Sequence, residues 1–208
     1  MKPQILTMLE LQNAMNQKVH PDWRQQNFAW HRAMWVECAE LMEHYGWKWW
    51  KKQNPDRNQV ILELVDIWHF GLSVLMQQDS DMDSLAEAIA DDLLQPLSGQ
   101  PDFKDEVEQF VAEVLATRSF PVRRFNQLLA AAELPFLQLF SLYIGKNMLN
   151  FFRQDHGYKI GTYQKIWQGR EDNEHLMEIL DSLDPNAADY KDQVYAALGR
   201  RYADTATF

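Results

Sequence analysis

Cysteine is nearly absent from this chain. The single Cys38 excludes an internal disulfide and leaves no cysteine pair for a structural zinc, so a reducing, cytoplasmic setting is expected. Glycine is sparse too, eight in 208 residues, and none builds a Walker-A or other Gly-rich phosphate loop. A phosphate would therefore be held by side chains or metal rather than by backbone amides. Basic residues are outnumbered, 20 Lys and Arg against 30 Asp and Glu, and the net charge of −10 argues against a nucleic-acid surface. The N-terminal stretch has no apolar core of the kind a signal peptide carries. The apolar run at 60–76 reads as too short and too charged to span a membrane. Strand patterns are almost missing, which leaves the helix as the repeating element.

What is present supports a folded, all-α chain. Hydrophobic residues make up 46% and there are eight tryptophans, enough for a substantial core in one domain over 1–208. Helical periodicity predicts a first helix over about 4–18 and a second over 27–45, stopping at Gly46. Asn54-Pro55-Asp56 should start a third that runs to about 78, and Asp83 or Ser84 should cap a fourth ending near Leu94. Pro96, Ser98, Gly99 and Pro101 mark a loop before a fifth helix at 103–117. Another helix should follow Pro121, break at Pro135 and resume over 138–154, with two short helices near 172–182 and 186–202.

Charge is unevenly spread. Residues 79–108 hold ten acids, from Asp79 to Glu108, against the one base Lys104, a run that reads as solvated surface. Residues 143–170 reverse the sign, with Lys146, Arg153, Lys159, Lys165 and Arg170 interleaved with Tyr143, Asn147, Asn150, Tyr158 and Tyr163. Such a mixture suits a polyphosphate, gripped by charge-assisted hydrogen bonds.

Two carboxylates break the apolar run Val60–Met76. Glu63 and Asp66 are three residues apart and share a helix face, and Glu37 and Glu40 repeat that spacing one helix upstream. A buried carboxylate without a partner costs several kcal/mol, on the order of the desolvation penalty of one ion. Four carboxylates on two facing helices, with no matched set of buried Lys or Arg, ask for a divalent metal. Oxygen ligands without cysteine favour Mg²⁺ or Mn²⁺. A di-iron bundle needs two Glu-x-x-His pairs; His69 follows Asp66 by three, but His44 lies four beyond Glu40, so that pattern is half missing. Each acid pair taken singly is compatible with a surface coincidence.

Glu37-Cys-Ala-Glu40-Leu-Met-Glu-His-Tyr-Gly-Trp-Lys-Trp-Trp50-Lys, followed by Glu63-Leu-Val-Asp66-Ile-Trp-His69-Phe, resembles the dimeric all-α dUTPases of the all-α nucleotide pyrophosphohydrolase group. The stretch Tyr143–Asn173 is similar to that family's second block, and 80–135 looks like its variable helical insertion. The resemblance implies a helical bundle with a mobile C-terminal segment. It also implies a homodimer and Mg²⁺-dependent hydrolysis of dUTP, and of dUDP, to dUMP. Glu37, Glu40, Glu63 and Asp66 would hold the metal, and Glu40 would also help deprotonate the attacking water. Lys146, Asn150 and Arg153, at i, i+4 and i+7, would face the phosphates, with Tyr158, Lys159 and Lys165 closing over them as a lid.

Gln12 and Asn16 match the family's N-terminal pair and would read the uracil edge. Trp50, His69 and Phe70 are expected beside the nucleoside, although a hairpin packing would explain at least two of Trp47, Trp49 and Trp50, and His69 and Phe70 would also serve as core. Cys38 has no support as a nucleophile, and Asp172 and Asn173 fit either substrate contact or helix capping. A dCTP-directed relative and a catalytically idle nucleotide-binding protein remain the alternative readings.

Overall fold

The computed structural model describes residues 1–78, 81–97, 99 and 102–203. Asp79, Ser98 and Pro101, named above, lie outside the described residues. Among those described, nine α-helices run in the order α1 Lys2–Val19, α2 Trp30–Tyr45, α3 Arg57–Gln78, α4 Met82–Leu93, α5 Phe103–Thr117, α6 Val122–Ala131, α7 Phe136–Asp155, α8 Asp172–Asp181 and α9 Tyr190–Ala203. The helical reading therefore holds, with boundaries moved by at most four residues and α5 unchanged. The fourth helix is capped earlier than expected: the Asp81 carboxylate, not Asp83 or Ser84, accepts from the Asp83 and Ser84 amides.

α3 is the central element. Apolar side chains cover nearly its whole circumference, so other helices enclose it: α2 along most of its length, and α1, α4 and α7 at further faces. By length and composition α3 could cross a bilayer, longer than the run at 60–76 suggested, but most of its apolar window is covered by this protein's own helices. The α2–α3 turn begins at Gly46, whose φ of 82° ends α2 in the left-handed conformation that glycine adopts without a Cβ clash. The Asp56 amide then donates to the His44 carbonyl at 2.8 Å, and Glu37 lies beside Asp66, so the two helices run antiparallel.

In the segment that carries α4, α5 and α6, α4 packs on α1, α5 on α2, and α6 against α4 and α5. Trp68 of α3 meets Phe120 and Phe125 there, with ring centroids 5.6 and 5.4 Å away. Its acids are mostly solvated as expected, but Glu106 is buried and pairs with Arg124 at 3.3 Å. Pro135 separates α6 from α7 at a bend of 101°. The apolar faces around 122–145, long enough to serve the dimer that the resemblance implies, are largely used inside the chain, with Leu137 an exposed exception.

The segment after α7 contains strands that periodicity could not show. Ile166–Trp167 (β1) and Arg170–Glu171 (β2) form an antiparallel hairpin, turned by Gln168 and Gly169 at φ 49° and 81°. The hairpin is only long enough to bring the fully buried Trp167 against Phe152 and to start α8 at Asp172.

Candidate functional site

Glu63 sits on the buried side of α3, and Glu37 of α2 faces it across the helix pair. Carboxylate oxygens of Glu37, Glu63 and Asp66 all lie within 4.8 Å of one another. Burial, the charge of Asp66 and a hydrogen bond with Glu63 push the Glu37 carboxyl up to about 9, and burial and Asp66 push Glu63 up to about 7. Glu40, one turn on, is exposed and outside this cluster, so three of the four expected acids converge and the fourth stands at the rim.

No matched set of buried bases was expected for these acids, and α7 supplies one buried lysine. Lys146 is 1% exposed and its Nζ lies 2.8 Å from Asp66, so it serves as a charge partner inside the site and is not a free phosphate ligand. Its position was legible, i−7 from Arg153, but its depth was not, because that depends on where α7 crosses α3. His44 Nε2, dismissed above as a misplaced iron ligand, lies 3.5 Å from Glu63. One lysine and one partly exposed imidazole leave three converging carboxylates under-neutralised. An all-oxygen donor set of this kind fits a hard divalent cation.

The acids open into a cavity of about 560 Å³ lined by Glu37, Glu40, Glu63, Asp66, Lys146 and Arg153, with Tyr158 and Lys165 on its far side. Arg153 points its fork at Asp172, with Nε and Nη2 at 2.8 and 2.7 Å from the two carboxylate oxygens. Burial works against the guanidinium's charge, but Asp172 outweighs it and raises the pKa further. The same pair holds Asp172 below its ordinary range despite its burial. Tyr163 also donates to Asp172 at 2.8 Å. Asp172 is thus an arginine orienter, and Asn173 accepts from Lys146 at 2.9 Å. Neither role was evident from capping signals.

A second cavity of about 360 Å³ joins the first at Glu37, Asp66, Arg153 and Tyr158. Its walls are aromatic: Trp23, Phe28, Trp30 and Phe70, with Gln12, Asn16, His69 and Asn150 supplying polar atoms. Gln12, Asn16, His69 and Phe70, expected beside the nucleoside, share this cavity, whereas Asn150, expected at the phosphates, lines it instead of the acidic one; Phe28 and Trp30 were not singled out. Burial lowers the His69 pKa to about 4, so its ring is neutral.

Two expected residues stand elsewhere. Trp50 lines neither cavity; it is 56% exposed beside Trp49, 89% exposed, and Trp47. The packed-hairpin alternative fails with it, since all three rings are on the surface. Lys159 also lines neither cavity and donates instead to the Val19 carbonyl at the end of α1. Lys165 pairs with Glu171 at 3.1 Å on the surface. Burial pushes the Cys38 thiol pKa far up, consistent with an inert core residue.

A family model described as dUTPase matches residues 4–158. No curated protein matches the chain as a relative. The match takes in both carboxylate helices, α7 and every residue of the aromatic cavity, and ends before Lys165 and Asp172.

Proposed function

The chain belongs to the dUTPase family, whose model covers well over half of it, and on that premise we propose how this dUTP diphosphatase uses its two joined cavities. The observation that carries the reading is the junction itself. A cavity lined with acids and a few bases meets an aromatic one at Glu37, Asp66, Arg153 and Tyr158, as a nucleotide with a charged and an apolar end requires.

Glu37, Glu63 and Asp66 would hold a divalent cation, Mg²⁺ first and Mn²⁺ second, with Glu40 at the rim. When bound, such an ion offsets phosphate charge and lowers the pKa of a water molecule. Lys146 pairs with Asp66 and holds it toward the cluster. Arg153, locked by Asp172, presents its remaining N–H to the phosphates without reorganising. Tyr158 and Lys165 close the polyphosphate end as part of a lid at 157–169, whereas Lys159 anchors that lid to α1. Glu40, exposed and clear of the acid cluster, takes the proton of the attacking water. Phe70, Trp30 and Phe28 wall the base and sugar. dUDP fits the same reading because it keeps the base and a scissile anhydride. A homodimer is part of the proposal, supported by the exposed apolar side chains of Trp35, Val36, Trp49 and Trp50.

The test is product analysis with purified protein. dUMP should appear from dUTP when Mg²⁺ is supplied, and Glu63→Gln should lower the rate by orders of magnitude. No dUMP from the wild type would sink the reading, and faster turnover of dCTP than of dUTP would move it to the related enzyme class.

A further inference from the structure

Asp172 is fully buried, so the donors that satisfy its carboxylate must come from the protein. Its Oδ1 accepts from Arg153 Nη2 at 2.7 Å. Its Oδ2 accepts twice, from Arg153 Nε at 2.8 Å and from the Tyr163 hydroxyl at 2.8 Å. Burial and the adjacent Asp172 charge hold the Tyr163 phenol far above its ordinary pKa, so its proton stays on and the hydroxyl donates. The backbone of the same segment adds a further tie, because the Asp172 amide donates to the Lys165 carbonyl at 3.0 Å.

The Tyr163 ring does not depend on that hydrogen bond for its place. It stacks on Tyr202 of α9 with centroids 5.5 Å apart, and it meets Phe152 and Trp167 edge-on at 6.5 and 6.4 Å. Aromatic packing therefore fixes the ring and aims its hydroxyl. At the other end of the segment, Arg153 Cζ lies over the Tyr158 ring, 5.9 Å from its centroid. The chain from 158 to 165 thus reaches Arg153 twice, directly through Tyr158 and from Tyr163 through Asp172. Arg153 itself lines the acidic cavity, so phosphates arriving there would draw on a guanidinium that Asp172 already holds. A carboxylate held by the arginine alone would shift with it, whereas a third donor on a fixed ring keeps the carboxylate still.

We propose that Tyr163 is a positioning residue for the phosphate end: its hydroxyl pins the Asp172 carboxylate, and Asp172 then keeps Arg153 aimed at the phosphates while sharing it with them. The proposal rests on the dUTP reading and deepens it. Tyr163 lines neither cavity, so its effect passes through Asp172. It makes α9 part of the site, since Tyr202 supports the ring that holds the carboxylate. The contribution is to the phosphates alone, and the nucleoside end is untouched by it.

Tyr163→Phe removes one oxygen and leaves the stacked ring in place. With Mg²⁺ and the full-length protein, calorimetry should show this variant binding α,β-imido-dUTP about five- to tenfold more weakly than the wild type. Deoxyuridine, which has no phosphate, should inhibit dUTP hydrolysis by the two proteins equally to within about twofold, a split that general damage to the fold would not produce. In an Asp172→Ala background the same change should weaken the analogue by less than about twofold more, because the group that Tyr163 acts through is gone. Should the double variant not fold, nitrogen-15 NMR of nucleotide-free protein labelled at arginine decides. The Arg153 Nε–H should exchange with water at least about fivefold faster in Tyr163→Phe than in the wild type. Unchanged affinity for α,β-imido-dUTP, an equal loss for deoxyuridine, losses that multiply in the double variant, or an unchanged Arg153 exchange rate would each overturn the proposal. A wild type that binds no α,β-imido-dUTP would instead overturn the dUTP reading, and the exchange rate would still show whether Tyr163 holds the Arg153–Asp172 pair.

Discussion

Glu37 and Glu63 retain protons to unusual pH because each further negative charge must form in a buried place beside Asp66. In an unfolded chain both would ionise near 4.5. Between that value and about 9 the native state binds more protons than the unfolded one, so the metal-free protein loses stability as pH rises through this window. Thermal melts in chelator should show Tm falling from pH 5 toward pH 9. Added Mg²⁺ should raise Tm, and more so at the alkaline end, since the ion binds the deprotonated acids. Glu63→Gln removes one of the strained charges. It should melt higher than the wild type in chelator at pH 8 and respond little to Mg²⁺. An undiminished Mg²⁺ shift in that variant would place the cation elsewhere.

At the scale of elements, α3 depends on close approach as well as on apolar residues. A Cβ built at Gly71 would lie 2.6 Å from the Phe120 ring, whose own position is set by Trp68 and Phe110. Alanine is the better helix former by about 1 kcal/mol, but overpacking here should cost about 1–3 kcal/mol and outweigh that gain. Gly71→Ala should therefore lower the urea midpoint with an unchanged m-value, and a higher midpoint would show that Phe120 can shift freely. The helices themselves were legible because capping and apolar spacing act within a few residues. The hairpin at 166–171 was not: two residues per strand are too few for an alternating pattern, and only the left-handed pair Gln168-Gly169 marks it.

Across the whole molecule, α7 and α8 are joined by the Arg153–Asp172 fork and the Lys146–Asn173 bond. Asp172→Ala would leave the Arg153 guanidinium buried without its counter-charge, a loss of about 3–5 kcal/mol in stability. It should also raise KM for dUTP, since the arginine would no longer be held toward the phosphate end. Denaturant unfolding and steady-state kinetics read the two effects separately. Unchanged stability would show that Tyr163, Asn150 or water can replace the carboxylate.

The order of the helices, the two acid pairs and their shared helix faces follow from local chain geometry, where three or four residues make one turn. So does the identity of α3 as a core helix carrying Glu63. What answers each charge is a separate matter. Lys146 comes to Asp66 from 80 positions along the chain, and Gln12 comes to His69 from 57. Those meetings turned a supposed phosphate ligand into a charge partner and set a supposed base reader against the His69 ring. They also left Trp50 on the surface and Glu40 outside the cluster. No period in the sequence encodes such distances, because they are set by how helices cross and by which side chains the crossing desolvates.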